Sequence, residues 1–338
     1  MNQEQKYSRF ALCREMLETT GVVRQFKLKE IGPVLESLKT TDRLFLTGEG
    51  SSRIFPAKNL ITTAYKKGLR LELATEGGRQ AQEYNLNGWT IFAASNSGQT
   101  KEVIALFDQL KNKGHSGRFG LTANHNTKLE YMSDRTYVLS CGKEDAVAAT
   151  KSVVEQALFY AALLGEFCGD KLDAKMGPLA DAVEKALTTP IDPAMVQAVA
   201  KAGTICFSGR NDGVAEELTL KTNEITRKKS DYFEGTYAVH GVEEVLNNTD
   251  AVILINPFKA ELEKIKTTLA DGVGMKVFVI ATEPTIFPTL VVPDMGDLTP
   301  FIMLTAGWNL LVEVGLALDI NLDKPVRARK IGNEFTGS

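Results

Sequence analysis

The stretch Trp89-Thr90-Ile91-Phe92-Ala93-Ala94-Ser95-Asn96-Ser97-Gly98-Gln99-Thr100 decides the fold of this chain. Its first half, 89–94, is a short and almost wholly apolar run, as expected for a strand that is buried on both faces. Its second half, 95–100, is a turn rich in Ser, Thr and Gly, and the amphipathic helical pattern 101–113 follows directly. A strand, a polar turn and a helix in this order predict a βαβ unit of a parallel sheet.

The same arrangement recurs along the chain and predicts a duplicated fold. Apolar runs that end near Gly, Ser, Thr or Asn predict strands at 43–47, 70–74, 89–94, 119–122, 135–139, 204–207, 251–255, 277–281 and 289–292. The strongest three of the second half lie about 160 residues after their counterparts, which indicates an internal repeat. We therefore predict an α/β protein with two tandem, doubly wound, flavodoxin-like parallel sheets.

The length of 338 residues also predicts two domains, because one hydrophobic core rarely grows beyond about 250–300 residues. The predicted divisions are a helical segment at 1–28, a first domain at 29–187 and a second domain at 188–338. Helices are predicted at 10–19, 29–38, 146–167 and 172–186, and Pro190 and Pro193 mark the passage into the second domain.

The composition is that of an ordinary globular protein and excludes several classes of partner. With a net charge of -3 and a pI near 5.8, the chain lacks the clustered Lys and Arg that bind nucleic acid, and the basic run 227–229 is predicted to be a solvated face. The four cysteines show no CxxC spacing, which favours a reducing compartment. Because neither an apolar leader nor a run of about 18 apolar residues is found, we expect no membrane contact and a cytoplasmic location.

Two polar turns at the ends of predicted strands have the chemistry to bind a small anion. The hydroxyls of Ser95, Ser97 and Thr100 can donate to anionic oxygens. Gly98 lets the backbone approach closely, and the following helix adds its free N–H groups. The turn 48–52, Gly-Glu-Gly-Ser-Ser, forms a second wall after the first strand. A helix N-terminus contributes only about 0.3–2 kcal/mol toward one anion, so several donors must converge. Neither turn matches a mononucleotide or dinucleotide motif.

Four motifs follow one another in a specific order. They are Gly50-Ser51-Ser52, the SxSGxT sequence of Ser95 to Thr100, the V-A-A-T-K sequence of Val147 to Lys151, and the pair Lys221 and Glu224 with His240-Gly241 sixteen residues after the glutamate. Together, over residues 30–335, they resemble the SIS (sugar isomerase) family and particularly its double-SIS members. These are the isomerase half of glucosamine-6-phosphate synthase, the SIS-type aminosugar-phosphate deaminases and the fructosamine-phosphate deglycases.

The resemblance implies an active site that needs no cofactor and no metal ion. Glu224 is implied as the base that moves a proton between C1 and C2, and His240 as the group that opens the sugar ring. In the family this histidine comes from a neighbouring subunit, so the resemblance implies a homodimer or a larger homo-oligomer. Lys330 is implied to assist the open-chain sugar electrostatically. The implied substrate-binding residues are Gly50, Ser51, Ser52, Ser95, Asn96, Ser97, Gln99, Thr100, Val147, Ala149, Lys151 and Lys221.

The remaining histidines do not indicate a metal site. His115 and His125 lie in polar loops and are predicted to be at the surface, and the three histidines show no HExxH-type spacing.

The sequence leaves the substrate and the reaction open between three hypotheses. The first is an aldose–ketose isomerase for a small hexose that is anionic at C6, through a 6-phosphate or a 6-sulfonate such as that of sulfoquinovose. The second is an aminosugar-phosphate deaminase or a fructosamine-phosphate deglycase, and Ala149 is the form seen in the deaminase-like branch. The third is a sugar-phosphate sensor without catalysis. Tyr237 and Val242 stand where many relatives have Glu and Pro in the loop that covers the sugar.

Overall fold

The structure is a computed structural model of the chain and describes residues 1–327. Internal contacts divide these residues into two compact units, each with one sheet. The first-sheet unit contains 22–144 and 151–176, and the second-sheet unit contains 1–21, 145–150 and 177–327. The predicted domain boundaries after 28 and after 187 stay a prediction.

Each unit is built on a five-stranded sheet in which all the neighbouring strands are parallel. The strands are β1 Arg43–Thr47, β2 Glu72–Glu76, β3 Thr90–Ala94, β4 Arg118–Thr122, β5 Arg135–Val138, β6 Thr204–Gly209, β7 Lys229–Glu234, β8 Ala251–Ile255, β9 Lys276–Ala281 and β10 Thr289–Val291. The predicted α/β class with two parallel sheets is confirmed.

The two sheets have the same topology. The first has the order β2-β1-β3-β4-β5, and the second has the order β10-β9-β8-β6-β7. Counted within each unit and read from the edge strand β7, the second order is also 2-1-3-4-5, the flavodoxin-like arrangement. A common topology supports the predicted duplication, which itself stays a prediction.

Helices connect the strands and cover the sheets. They are α1 Gln5–Ser8, α2 Ala11–Gln25, α3 Gly32–Thr41, α4 Ile54–Lys66, α5 Gly78–Ala81, α6 Lys101–Asn112, α7 Lys128–Met132, α8 Lys151–Cys168, α9 Met176–Thr188, α10 Pro193–Lys201, α11 Val214–Thr226, α12 Leu262–Ile265, which continues as a π-helix over Lys266–Val273, and α13 Thr299–Ala317.

The predicted helix 146–167 was wrong at its start, since α8 begins only at Lys151. The backbone N–H groups of Asp145 and Ala146 donate to the carboxylate of Glu15, which is 5% exposed. These N–H groups are therefore satisfied by a residue about 130 positions earlier, and the segment before Lys151 takes an irregular course.

An aromatic cluster fixes α8 on the first sheet. The ring of Phe92 on β3 lies 5.6 Å from that of Phe159 and 5.3 Å from that of Tyr160, both on α8. Tyr137 on β5 lies 5.0 Å from Phe159. Such pairs add about 0.5–1.5 kcal/mol beyond their buried area, so the position of α8 over the sheet is well defined.

The core of the second-sheet unit contains α13, a helix that is almost entirely buried. The stretch Gly296–Ala317 is long and apolar enough to cross a membrane by length and composition, but 78% of its most apolar window is buried inside the protein. A Cβ added at Gly307 would lie 2.4 Å from a methyl group of Leu218 on α11. The glycine therefore allows α11 and α13 to pack closely, as core helices do.

Candidate functional site

The two predicted anion loops meet at the carboxyl edge of the first sheet. β1 and β3 are neighbours, and the chain leaves them toward opposite sides of the sheet, which makes this edge the topological switch point. A Cβ added at Gly48 would lie 2.8 Å from the carbonyl oxygen of Ala94, so the loop after β1 touches the end of β3. The sheet therefore brings the predicted loops together.

The loop 95–100 is held by its own hydroxyl groups. The hydroxyls of Ser95 and Thr100 lie 2.8 Å apart, and the N–H of Gln99 donates to Ser97 Oγ at 3.1 Å. Gly98 has a φ of +64°, and its carbonyl accepts a hydrogen bond from Leu129 N at 3.1 Å. The loop is thus docked on the first turn of α7.

The loop after β1 forms the second wall. Gly50–Ser52 is a single 3-10 turn, and Gly50 has a φ of +52°. Glu49 turns away from the switch point and accepts a hydrogen bond from Gly78 N at 2.8 Å. Burial raises the pKa of Glu49, although the hydrogen bond from Gly78 opposes that shift.

The amino end of α8 connects both loops. Glu144, 4% exposed, accepts hydrogen bonds from Asn96 Nδ2 at 3.2 Å and from Ser152 Oγ at 2.6 Å. One turn further along α8, the fully buried Gln156 donates through Nε2 to Ser52 Oγ at 3.4 Å. Ser152 and Gln156 lie on one face of the helix, being four residues apart. That face therefore links the loop after β1 to the loop after β3.

The predicted base lies in a charged cluster of the second-sheet unit. Lys221 has no exposed side-chain surface, and its Nζ lies 2.5 Å from Glu224 Oε2 and 3.5 Å from Glu217 Oε1. Glu217 is buried as well, whereas the side chain of Glu224 is 24% exposed. Within the described residues, Glu224 Oε1 has no hydrogen-bond partner. One carboxylate oxygen of Glu224 is therefore anchored by Lys221.

His240 and Glu224 lie at opposite ends of β7. Glu224 is in the last turn of α11, which leads into the amino end of β7, whereas the exposed His240 follows the carboxyl end. A strand of six residues spans about 20 Å at about 3.3 Å per residue. The chain does not bring these two predicted residues together by itself.

Comparison with known proteins finds relatives among the glutamine–fructose-6-phosphate aminotransferases. No protein-family model matches the chain. A glutamine–fructose-6-phosphate aminotransferase (isomerizing) from Listeria innocua is 25% identical over 312 residues, which cover 86% of this chain and 52% of that protein. The chain thus spans about half the length of the curated relatives it matches.

Solved structures have the same fold over nearly the whole chain. The C-terminal domain of glucosamine-fructose-6-phosphate aminotransferase from Francisella tularensis has a TM-score of 0.79 at 17% identity and covers 94% of this chain and 98% of its own. Tagatose-6-phosphate ketose/aldose isomerase from Escherichia coli has a TM-score of 0.79 at 16% identity, with 97% and 100% covered. The predicted SIS resemblance is confirmed.

The third SIS-like motif lies at the start of α8. Val147 and Ala149 lie in the segment 145–150 of the second-sheet unit, and both are partly buried. Lys151 is the first residue of α8 in the first-sheet unit and is 5% exposed. Their assignment to substrate binding stays a prediction.

The segment that follows α13 is anchored next to α11. Arg227 donates to the carbonyl oxygens of Glu224, of Ile225 at 2.7 Å and of Asn321 at 2.8 Å. Arg227 is partly buried, which lowers its pKa, so it departs from the solvated face predicted for the run 227–229, whereas Lys229 is exposed. Asp323 accepts hydrogen bonds from two backbone N–H groups at the start of α2, at 2.8 and 2.9 Å. Lys330 itself lies outside the described residues.

Sequence reasoning missed three residues that shape these sites, namely Glu144, Gln156 and Arg227. The signal for the first two was the presence of single polar residues in or beside the very apolar α8, where a buried polar group needs a specific partner. His115 was predicted at the surface but is partly buried, and its Nε2 lies 3.0 Å from the carbonyl oxygen of Trp89. Over residues 1–327, no group of three or more His, Cys, Asp or Glu side chains is placed to hold a metal ion.

Proposed function

We propose that this chain is an aldose–ketose isomerase that acts, without a cofactor, on a hexose carrying an anionic group at C6. The observation that carries the proposal is the convergence of hydroxyl donors at the switch point of the first sheet. The names of the similar proteins point to the same substrate class, since they refer to fructose 6-phosphate and tagatose 6-phosphate.

The donors follow from the hydrogen bonds of the two loops. Ser52 Oγ accepts from Gln156 and Ser97 Oγ accepts from Gln99 N, so each keeps its own hydrogen to donate. Ser95 and Thr100 share one hydrogen between them, which leaves a third. These three hydrogens have no acceptor in the part of the chain that the structure describes. Together with the free N–H groups at the start of α6, they suit a tetrahedral anion such as a phosphate or sulfonate.

Glu224 is the proposed base of the proton transfer between C1 and C2. Isomerisation through an enediol needs a carboxylate that is fixed in place and able to take and return one proton. Lys221, buried and 2.5 Å from Oε2, fixes the carboxylate, and Oε1 is the proposed proton acceptor. Lys330 is proposed to stabilise the developing negative charge of the enediol.

His240 is proposed to act on a substrate bound by another copy of the chain. The two residues flank β7, which is about 20 Å long, and this placement supports the proposal that they act from different copies. In a homodimer or a larger homo-oligomer, the exposed His240 of one copy can reach the Glu224 site of another. There the imidazole would carry a proton from the anomeric hydroxyl to the ring oxygen.

The proposal is tested by hydrogen exchange at the carbon next to the carbonyl group. Glucose 6-phosphate, sulfoquinovose and fructose 6-phosphate are each incubated with the full chain in D2O. NMR follows loss of the C2 proton signal of the two aldoses and of a C1 proton signal of the ketose. The variant Glu224→Gln should still bind the substrate and lose exchange by roughly 100-fold or more, as expected for removal of a general base. The matched control is Glu216→Gln, the same change two turns earlier on α11, which should exchange normally.

Three results would contradict the proposal. Undiminished exchange in Glu224→Gln would exclude it as the base. Release of ammonia from glucosamine 6-phosphate, or of an amine from a fructosamine phosphate, would instead establish the deaminating or deglycating reaction. Binding of a sugar phosphate without any exchange in the wild-type protein would identify a sensor.

A further inference from the structure

The side-chain amide of Asn96 has a fixed orientation. Its Nδ2 donates to Glu144 Oε2 at 3.2 Å, and the same carboxylate accepts from Ser152 N at 3.2 Å and from Ser152 Oγ at 2.6 Å. All of these partners are donors, and they include a backbone N–H at the start of α8, where a negative charge is favoured. Glu144 therefore serves as an acceptor.

The reverse orientation of Asn96 is excluded by charge. Turning the amide would put its carbonyl oxygen against the carboxylate of Glu144, two acceptors at hydrogen-bond distance. Asn96 Oδ1 must therefore face away from Glu144. This oxygen is buried and has no hydrogen-bond partner among residues 1–327. Asn96 thus presents an acceptor, although it belongs to a loop that otherwise offers donors.

Gln156 presents a second acceptor on α8 in the orientation that the structure shows, although its partner, the Ser52 hydroxyl, can donate as well as accept. Its Nε2 donates to Ser52 Oγ at 3.4 Å, while its Oε1 is buried without a partner in the described part of the chain. The residue is completely buried. An unsatisfied buried acceptor costs about 1–3 kcal/mol, so two of them near one loop pair point to a ligand that supplies donors.

We propose that Asn96 Oδ1 and Gln156 Oε1 form a subsite that accepts hydrogen bonds from hydroxyl groups of the substrate, and that Glu144 is the positioning residue that keeps this subsite in its accepting orientation. This inference rests on the proposed function, because the hydroxyls are those of a sugar whose anionic group is held by Ser52, Ser95, Ser97 and Thr100. Anionic oxygens would be repelled by a carbonyl oxygen, so Asn96 and Gln156 contact the polyhydroxylated part of the ligand and favour a sugar phosphate over a simple alkyl phosphate.

The test compares ligands with and without hydroxyl groups. Binding of sorbitol 6-phosphate and of propyl phosphate to the full chain is measured by calorimetry or competition, with the corresponding sulfonates as a second pair. In Glu144→Gln, the new amide can donate to Asn96 and allow the reversed orientation. We expect about a 10-fold loss of affinity for sorbitol 6-phosphate, as for one buried hydrogen bond, with the affinity for propyl phosphate unchanged. Asn96→Ala should show the same selective loss.

Glu155→Gln is the matched control. Glu155 is 3% exposed and accepts from Ser140 and Cys141, so the variant also neutralises a buried carboxylate of this region. In Glu155→Gln, the ratio of the affinity for sorbitol 6-phosphate to the affinity for propyl phosphate should equal the wild-type ratio. If Glu144→Gln or Asn96→Ala weakens both ligands equally, or neither, the inference is wrong. If the wild-type protein binds no sugar phosphate or sulfosugar at all, the proposed function fails and the subsite fails with it.

Discussion

Substitution of Gly98 tests how the anion loop is built. Gly98 has a φ of +64°, and an added Cβ would lie 2.4 Å from Thr127 Cβ, 2.5 Å from Oγ1 and 2.6 Å from Cγ2. Thr127 cannot move away easily, because it caps α7 through reciprocal hydrogen bonds with Glu130. The loop itself must then shift and weaken the hydrogen bond from Leu129 N to Gly98 O.

The expected cost of Gly98→Ala is the sum of two effects. A left-handed backbone costs a non-glycine residue roughly 1–2 kcal/mol. Overpacking against a fixed neighbour costs roughly 1–3 kcal/mol. The free energy of unfolding should therefore fall by about 2–5 kcal/mol, and affinity for sugar phosphates should fall as the loop moves.

Gly88 provides a matched control for the first effect. It has a φ of +77°, but an added Cβ would meet nothing within 4 Å. Gly88→Ala should lower the free energy of unfolding by only roughly 1–2 kcal/mol and leave ligand affinity intact. Both variants replace glycine by alanine, so the effect of alanine on the entropy of the unfolded chain is the same in both and cancels. Urea unfolding of both variants gives the difference. If Gly98→Ala is no less stable than Gly88→Ala, the close docking on Thr127 does not hold.

Three other perturbations probe the second-sheet unit, the assembly and the pH dependence. Lys221→Met should lower the free energy of unfolding by about 3–5 kcal/mol, because it removes the buried cation that pairs with Glu217 and Glu224. A loss below about 1 kcal/mol in urea unfolding would contradict this. Refolding an equal mixture of the inactive variants Glu224→Gln and His240→Asn should restore about 25% of wild-type activity. Half of the randomly formed dimers contain both variants, and each mixed dimer has one site with an intact glutamate and an intact histidine. If no activity returns, the site is not shared between copies. Burial lowers the pKa of His115 in the folded state, so the unfolded chain takes up the proton first as the pH falls. The free energy of unfolding should therefore fall below a pH of about 6.5, and it should fall less in His115→Gln. Urea unfolding at a series of pH values measures both.

Most strands could be predicted because they are buried on both faces, and β8 was predicted at its observed bounds. The missed strand, β7, shows where this signal ends. Its sequence KSDYFE contains one fully buried residue, Phe233, because β7 lies at an edge of the second sheet. An edge strand that is half solvated lacks the apolar run on which the prediction relied.

Site residues could be predicted where neighbouring residues supply the chemistry, and could not be predicted where the site depends on contacts between distant parts of the chain. The turns 48–52 and 95–100 carry their hydroxyls in short runs that follow strands, so the sequence shows both the groups and their place. Glu144 acts on Asn96 from 48 positions away, and Gln156 acts on Ser52 from 104 positions away. Such pairings become visible only after the sheet and α8 have packed.

The discontinuity of the second-sheet unit affects its synthesis. Residues 1–21 pack with partners beyond residue 177, and Tyr7 bonds Glu313 at 2.6 Å. At roughly 5–20 residues per second, a ribosome needs about 15–60 s to deliver α13 after the first helices have emerged. Throughout that time Tyr7 has no native partner from α13 in the nascent chain. The segment 1–21 can therefore complete its packing only after α13 has been synthesised.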